Sequence, residues 1–166
     1  DGHLYMEDTT ISGGFSSEGG GITNTGTANL DRVTISGNQA SYGAGIENLG
    51  GGDIAIDNST ISGNTASQNG GGIFNRATIS LFSVTVAENT AGFGWGGVVN
   101  DPYGLGTLTL RNTILSGNTG ASTARDCRGT LTESGYNLIA AVDAPNCILA
   151  GDPTGSITGT PATLGP

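Results

Sequence analysis

A repeated unit constrains the fold of this chain more than any other feature of the sequence. The unit is most complete in residues 19–38, GGGITNTGTANLDRVTISGN. One of its apolar positions returns at intervals of 24–29 residues, at Ile11, Ile35, Ile61, Val86 and Leu115. Self-similarity at such a period is typical of a solenoid, in which each repeat packs on its neighbours.

Two further apolar positions keep the same period. They are Ile22, Ile46, Ile73 and Val98, and then Leu30, Ile56, Leu81 and Leu110. Within one unit the apolar residues form short alternating pieces separated by Gly, Asn, Asp or Thr, which is typical of strands of three to five residues. The sequence therefore predicts an all-β parallel β-helix of about six coils of 24–29 residues, with three short strands per coil.

Asparagines recur beside the apolar positions. They follow the first ladder as Asn38, Asn64, Asn89 and Asn118, and the second as Asn24, Asn48, Asn75 and Asn100. We expect each to occupy a bend, where a residue that tolerates the left-handed region is needed, and to pass side-chain amide hydrogen bonds to the next coil.

The composition limits the kinds of partner and cofactor that the chain is expected to bind. The chain has no Lys, only five Arg, 31 Gly and a net charge of −9. A nucleic-acid groove needs clustered cations, so no nucleic-acid partner is expected. No apolar run is long enough to span a membrane, and no cofactor is expected apart from weakly bound calcium.

The repeat is lengthened at one corner, which predicts a working face there. Extra residues follow the second apolar ladder at positions 50–52 and 101–106. Phe93, Trp95, Asp101 and Tyr103 lie near the second insertion and are the candidate ligand or partner face, since aromatic rings stack on sugars. The alternative is that the aromatic residues cap the hydrophobic core.

Two other surface features are candidates. Asp31 and Asp57 occupy equivalent positions in successive coils and form a candidate acid pair or weak cation site, with no Arg or His expected at a matching position. The strands also predict two outward hydroxyl ranks: Thr10, Ser12, Thr34, Ser36, Thr60, Ser62 and Thr85. Such ranks resemble the surfaces of ice-binding β-helices, although the strand propensity of Thr explains them equally.

Residues 1–118 form the regular coils of a single domain, and residues 119–166 are degenerate closing coils. Cys127 and Cys147 lie 20 residues apart in this part, without metal-ligand spacing. A single disulfide is favoured over two free thiols, in agreement with an exported protein. The chain begins at Asp1, which suggests a processed or excised segment.

The units G-G-G-I-x-N, T-L-T-L-x-N and T-I-S-G-N-T-A resemble the right-handed β-helix repeats of bacterial secreted and surface proteins, among them polymorphic outer-membrane adhesins and exported proteins with C-terminal anchors. The stretch from Asp126 to Cys147 resembles the coil that closes the second group. The resemblance implies an extracellular or cell-surface location and no catalytic residues.

The expected function is a non-catalytic structural or adhesive β-helix. Its partners are surface glycans, further coils of the same protein, or copies of itself that stack end to end into a filament through open coil ends. The first alternative is a β-helix that binds or degrades polysaccharide, because fold alone does not exclude catalysis. The second alternative is ice binding by the hydroxyl ranks.

Overall fold

The computed structural model describes residues 2–101, 103–121, 125–142 and 144–163. Asp1 begins the chain and Pro102 belongs to the predicted corner insertion. Both lie outside the described residues. The described part consists of strands and turns, and it contains no helix that could cross a membrane. Its 21 strands are β1 His3–Glu7, β2 Thr10–Ser12, β3 Ile22–Asn24, β4 Thr27–Asp31, β5 Thr34–Ser36, β6 Gln39–Tyr42, β7 Ile46–Asn48, β8 Asp53–Asp57, β9 Thr60–Ser62, β10 Thr65–Asn69, β11 Ile73–Asn75, β12 Thr78–Phe82, β13 Thr85–Ala87, β14 Thr90–Ala91, β15 Val98–Asn100, β16 Thr107–Arg111, β17 Ile114–Ser116, β18 Cys127–Ser134, β19 Leu138–Ile139, β20 Cys147–Asp152 and β21 Ile157–Thr158.

The chain winds as a right-handed parallel β-helix, which confirms the predicted fold class. An 11-stranded sheet bends at β18 into a long limb, β1-β4-β8-β12-β16, and a short limb, β15-β11-β7-β3, with β20 added beside β18. A seven-stranded sheet contains β2, β5, β9, β13, β17, β19 and β21. Each strand therefore lies beside its equivalent in the next coil.

The coil count and the strand count differ from the prediction. The helix has about five turns where about six were predicted, because the short limb has only five strands including β18. Central coils contain a fourth strand, which forms the three-stranded sheet β14-β10-β6. Its inward residues are Ala40, Ala66 and Ala91. Alanine alternating with polar residues is a weak strand signal, so the sequence predicted three strands per coil and not this fourth one.

The core consists of the predicted apolar ladders. Ile46 pairs in register with Ile73, which pairs with Val98, and all three are fully buried. Burying such a side chain contributes about 1.5–3 kcal/mol relative to leaving it exposed. Because like residues stack on like residues, the ladders set the register of every coil.

Both asparagine ladders form inside the helix as predicted. In the ladder from Asn38 to Asn118, each side-chain amide donates to the Oδ1 atom of the next Asn at 2.9–3.0 Å. Asn118 passes its amide to Oδ1 of Asp126 at 2.8 Å. The other carboxylate oxygen of Asp126 accepts the Ala141 N–H at 2.7 Å. Asp126, which only accepts when ionised, therefore ends the ladder.

None of the eight ladder asparagines adopts the left-handed backbone region, which corrects the expectation. In the ladder from Asn38 to Asn118, the residue directly before each asparagine adopts it instead. Gly37 and Gly63 have φ of 65° and 64°, directly before Asn38 and Asn64. Glycine adopts this region without the steric penalty of a Cβ. At the bends of this ladder, one residue therefore turns the backbone and the next supplies the amide.

The predicted disulfide is present. Cys127 and Cys147 are joined with their Cα atoms 5.5 Å apart, and both are buried. Cys127 follows Val98 in the core ladder, whereas Cys147, in β20, lies beside Gly129 of β18. The two cysteines thus meet across a loop instead of stacking directly, and they close the core where the regular repeat ends.

Candidate functional site

The outward residues of the short limb change from coil to coil. One outward residue lies between the inward Ile or Val and the inward Asn of β3, β7, β11 and β15, and Cys and Gly take these two places in β18. Register places the five outward residues in one column: Thr23, Glu47, Phe74, Val99 and Arg128. Glu47, Phe74 and Val99 are 1%, 6% and 1% exposed although they point away from the core. Side chains on either side must therefore cover this column.

Two flanking columns provide that cover. On one side, Tyr42 pairs in register with Asn69, and the Gly70 N–H donates to the carbonyl of Trp95 in the next coil at 2.9 Å. On the other side, Asp101 lies one coil beyond Arg76. The outer side of the short limb is therefore a trough with an aromatic and amide wall on one side and a charged wall on the other.

Arginines and aromatic rings are stacked across the trough. The Arg76 guanidinium carbon lies 4.8 Å from the centroid of the Phe74 ring, and that of Arg128 lies 4.0 Å from the Trp95 ring. Tyr42 contacts Phe74 edge to face with centroids 5.4 Å apart. Stacking on a ring fixes the plane of a guanidinium and leaves its N–H edge free to donate.

Two adjoining cavities open along this trough. One encloses about 200 Å³ and the other about 230 Å³, and they share Asp101 and Arg128 as lining residues. We call the two cavities together the groove. The first is lined by Tyr42, Asn69, Phe74, Arg76, Val99, Asp101, Tyr103 and Arg128. The second continues past Arg128 to Gly129, Asn146 and Ile148.

Two of the four residues of the predicted ligand face line the groove, and a third, Trp95, lies against Arg128 without lining either cavity. Tyr103 is 88% exposed on its rim, and Asp101 is buried with Oδ1 accepting the Tyr103 N–H at 2.9 Å. Trp95 is half-buried beneath Arg128. Phe93 is 73% exposed and does not line either cavity. The predicted ligand role of this face stays a prediction.

Three buried polar atoms at this face have no hydrogen-bond partner within the described residues. They are Glu47 Oε2, Asn69 Oδ1 and Trp95 Nε1. Asn69 lines the groove, and Trp95 and Glu47 lie in the columns that form it. A buried polar atom without a partner costs about 1–3 kcal/mol, so such atoms indicate a place where a bound group or water completes the bonding.

Glu47 is a buried carboxyl group with a raised pKa. Burial raises its pKa to about 7, and repulsion from Glu18 adds to the effect. The charge of Arg76 and the Gly19 N–H act in the opposite direction. Part of the Glu47 population is therefore protonated at neutral pH, so this side chain can donate as well as accept a hydrogen bond.

Asp31 and Asp57 lie side by side in register, as predicted. Burial, and then repulsion from Asp31, raises the pKa of Asp57. Arg32, which directly follows Asp31 and does not occupy the matching position, forms ion pairs with Asp31, Glu7 and Asp8. The left-handed backbone of Arg32, with φ of 53°, sets the direction of its side chain.

Arg32 already neutralises carboxylates where the weak cation was predicted. Its Nε lies 2.7 Å from Asp8 Oδ1, and this contact holds the pKa of Asp8 below its ordinary value. The described part of the chain contains no group of three His, Cys, Asp or Glu side chains that could hold a metal ion. Weak calcium binding at Asp31 and Asp57 stays a prediction.

The hydroxyl ranks are in register across the seven-stranded sheet. Thr10, Thr34, Thr60 and Thr85 pair in turn, and so do Ser12, Ser36 and Ser62. We call these seven residues the hydroxyl face. Ala87 and Ile114 interrupt the two ranks. Further along the sheet, the N–H of Ala162 donates to Oγ of Ser116 at 3.0 Å, so the end of the described chain covers that part.

The sequence reasoning missed Glu47, Phe74, Arg76 and Arg128. A signal was present, because the residue between the Ile and Asn ladders is Thr, Glu, Phe and Val in successive coils, whereas its neighbours repeat. A position that varies inside a strict repeat is not fixed by the stacking of like residues between coils. Such a position can contribute to a binding site. Arg128 escaped notice because its coil has Cys in place of the ladder Ile.

The fold defines the class of this protein as a right-handed parallel β-helix, and the groove adds a lined surface site to it. Comparison with protein-family models, with curated proteins and with solved structures finds no match to the chain.

Proposed function

We propose that the protein is an extracellular adhesive β-helix that binds a glycan in the groove without cleaving it. The observation that carries this proposal is the groove itself: aromatic rings, arginines and unpartnered buried polar atoms line one face of an otherwise uniform rod. Sugar sites combine stacking surfaces with a few fixed polar groups, and these residues supply both. The disulfide agrees with an oxidising extracellular environment.

Binding is favoured over cleavage by the state of the two carboxyl groups near the groove. Hydrolysis of a glycosidic bond needs two carboxyl groups that flank the bond and reach it. Asp101 is buried and accepts a hydrogen bond from the neighbouring Tyr103 N–H, and Glu47 is 1% exposed beside Phe74. Neither carboxyl group stands free opposite the other.

A glycan array followed by equilibrium titration tests the proposal. We expect the full chain to bind at least one oligosaccharide, and Tyr103→Ala to weaken that binding about tenfold by removing a stacking surface. Phe93→Ala is the matched control, since the Phe93 ring is also largely exposed but lies outside the groove. Absence of binding to any glycan, or equal loss in both variants, contradicts the proposal. Release of shorter sugars from a bound oligosaccharide would contradict the non-catalytic part.

A further inference from the structure

We propose that the groove selects polysaccharides that carry carboxylate groups, such as chains of uronic acids, and that Arg76 and Arg128 recognise the carboxylates. This inference rests on the proposed function, because it names the chemical class of glycan for the same groove. The chain carries little positive charge, and part of that charge lies in the groove.

Two of the five arginines of this Lys-free chain lie in the groove. Within the described residues, the ion pairs closer than 4.0 Å all belong to Arg32, on another face. Arg76 and Arg128 contact aromatic rings instead and donate no side-chain hydrogen bond to the described protein. Their N–H groups are therefore available to a ligand.

The available N–H groups suit a carboxylate in particular. A guanidinium presents parallel N–H donors that match the two oxygens of a carboxylate, and such charge-assisted pairs are stronger than bonds to neutral hydroxyls. The rings of Phe74 and Trp95 hold the two guanidinium planes in place. A ligand therefore meets preorganised donors and loses little arginine side-chain entropy on binding.

The acidic groups of the groove oppose this preference only weakly. The Asp101 carboxylate is 5% exposed and accepts the Tyr103 N–H. Glu47 is 1% exposed, and burial raises its pKa to about 7, so much of it is neutral below that pH. Arg76 is exposed and Arg128 is half-buried. These two arginines therefore dominate the charge that a ligand meets at the groove.

The separation of the arginines indicates a polymer as the ligand. Arg76 follows β11, and Arg128 lies in β18, two coils further along the axis. Neighbouring coils are separated by about 4.8 Å, so the two backbones lie about 10 Å apart along the rod. One monosaccharide carboxylate does not reach both side chains from one position, whereas successive units of a chain along the groove do.

Titration calorimetry with matched sugars tests the inference on the full chain. The probes are galacturonate and mannuronate tetrasaccharides, the methyl ester of the galacturonate tetrasaccharide, and neutral cellotetraose. We expect at least one acidic probe to bind at least tenfold more tightly than the methyl ester and cellotetraose. We also expect raised salt to weaken its binding, because exposed charges are screened.

Two variants and one control connect the selectivity to the groove. Arg76→Gln and Arg128→Gln should each weaken binding of the acidic probe tenfold or more, and should weaken binding of neutral sugar by a smaller factor, so that the selectivity falls. Arg111→Gln is the matched control, because Arg111 also lies over a phenylalanine ring, 5.6 Å from Phe82, but on the long limb. Unchanged thermal unfolding confirms that each variant is folded.

The outcomes separate the inference from the proposed function. Equal affinity for acidic probe and methyl ester, or acidic binding unchanged in both groove variants, overturns the inference. Cellotetraose or methyl-ester binding that Tyr103→Ala weakens would then still support a glycan-binding groove. Binding of none of the probes overturns the inference, and the proposed function falls too if the array is also negative.

Discussion

The groove and the hydroxyl face are two sides of one repeat, and they differ in what the repeat holds constant. On the hydroxyl face the outward residues are Thr and Ser in coil after coil, and the surface is uniform. On the short limb the outward residue is different in every coil, and the surface has cavities, stacked arginines and unpartnered atoms. The comparison teaches that the repeat builds the rod and that its exceptions build a site.

The two faces also differ in how burial arises. The central residues of the hydroxyl face, such as Thr34 and Thr60, are half-buried in a sheet where threonine lies beside threonine in the neighbouring coils. Glu47 and Val99 on the short limb are almost completely buried by side chains from the flanking columns. Only the second arrangement places an ionisable group where its surroundings change its pKa.

The largest expected effect belongs to the asparagine ladder beneath the hydroxyl face. The Asn64 amide donates to Asn89 Oδ1 and to the Ile35 carbonyl, and its Oδ1 accepts from the N–H and the amide of Asn38. Asn64→Ala removes all four bonds in a buried place. At about 1 kcal/mol for each bond, we expect a loss of about 4 kcal/mol in unfolding free energy, measured by denaturant titration.

Asn29→Ala is the control for that substitution. Asn29 lies outside the ladder in a regular strand, and its amide contacts a ring nitrogen of His3 at the surface, 3.4 Å away. A loss of less than about 1 kcal/mol is expected there, since exposed polar contacts contribute little. If Asn64→Ala cost no more than this control, the hydroxyl face would not depend on its ladder, and the contrast with the groove would fail.

A smaller effect is expected from Glu47 on the groove side. Its folded pKa of about 7 lies above the ordinary value of 4.5, so the folded state binds the proton more tightly than the unfolded state. The stability that this proton contributes is complete below pH 4.5 and is lost as the pH rises through about 7. The difference corresponds to about 3 kcal/mol.

Glu47→Gln should remove this pH dependence. The variant keeps the shape of the side chain without the charge, so at pH 8 we expect it to be more stable than the parent chain and at pH 4 about equal. Denaturant midpoints at a series of pH values measure the effect, with Glu88→Gln as a control at an exposed position. Identical pH profiles for the parent and Glu47→Gln would show that the folded structure does not raise the pKa of this carboxyl group.

The smallest effect is expected on the hydroxyl face itself. Thr60→Val replaces an outward hydroxyl by a methyl group of similar size at a half-buried strand position, so we expect a change within about 0.5 kcal/mol. We also expect no thermal hysteresis in the parent chain, because Ala87 and Ile114 interrupt the ranks. Hysteresis that Thr60→Val abolishes would reverse the comparison and make the hydroxyl face a functional surface.

Much of the fold was predictable because stacking makes each coil a copy of the last. The apolar ladders gave the register from Ile46 to Val98, and the asparagine ladders gave the internal hydrogen bonds. The three-stranded sheet was missed because Ala40 and Ala66 are too small to produce an apolar signal. Arg32 was also missed beside Asp31, because its left-handed backbone turns the side chain toward the carboxylates.

The candidate site was predictable only in part. The inserted corner drew attention to Asp101 and Tyr103, and both line the groove. The opposite wall and the floor, with Tyr42, Phe74 and Arg128, come from coils without any insertion. These residues are up to 86 positions apart in the chain, and nothing in their local sequence indicates that they meet.

By itself the sequence determined the repeat, and with it the parallel β-helix, the core ladders and the direction in which each strand residue points. A period-two strand inside a fixed coil leaves no freedom in these properties. The tertiary structure alone decided which outward residues cover one another, where Arg128 stacks on Trp95, and why part of the Glu47 population is protonated near neutral pH. These depend on side chains from different coils, whose contacts exist only after the coils have stacked.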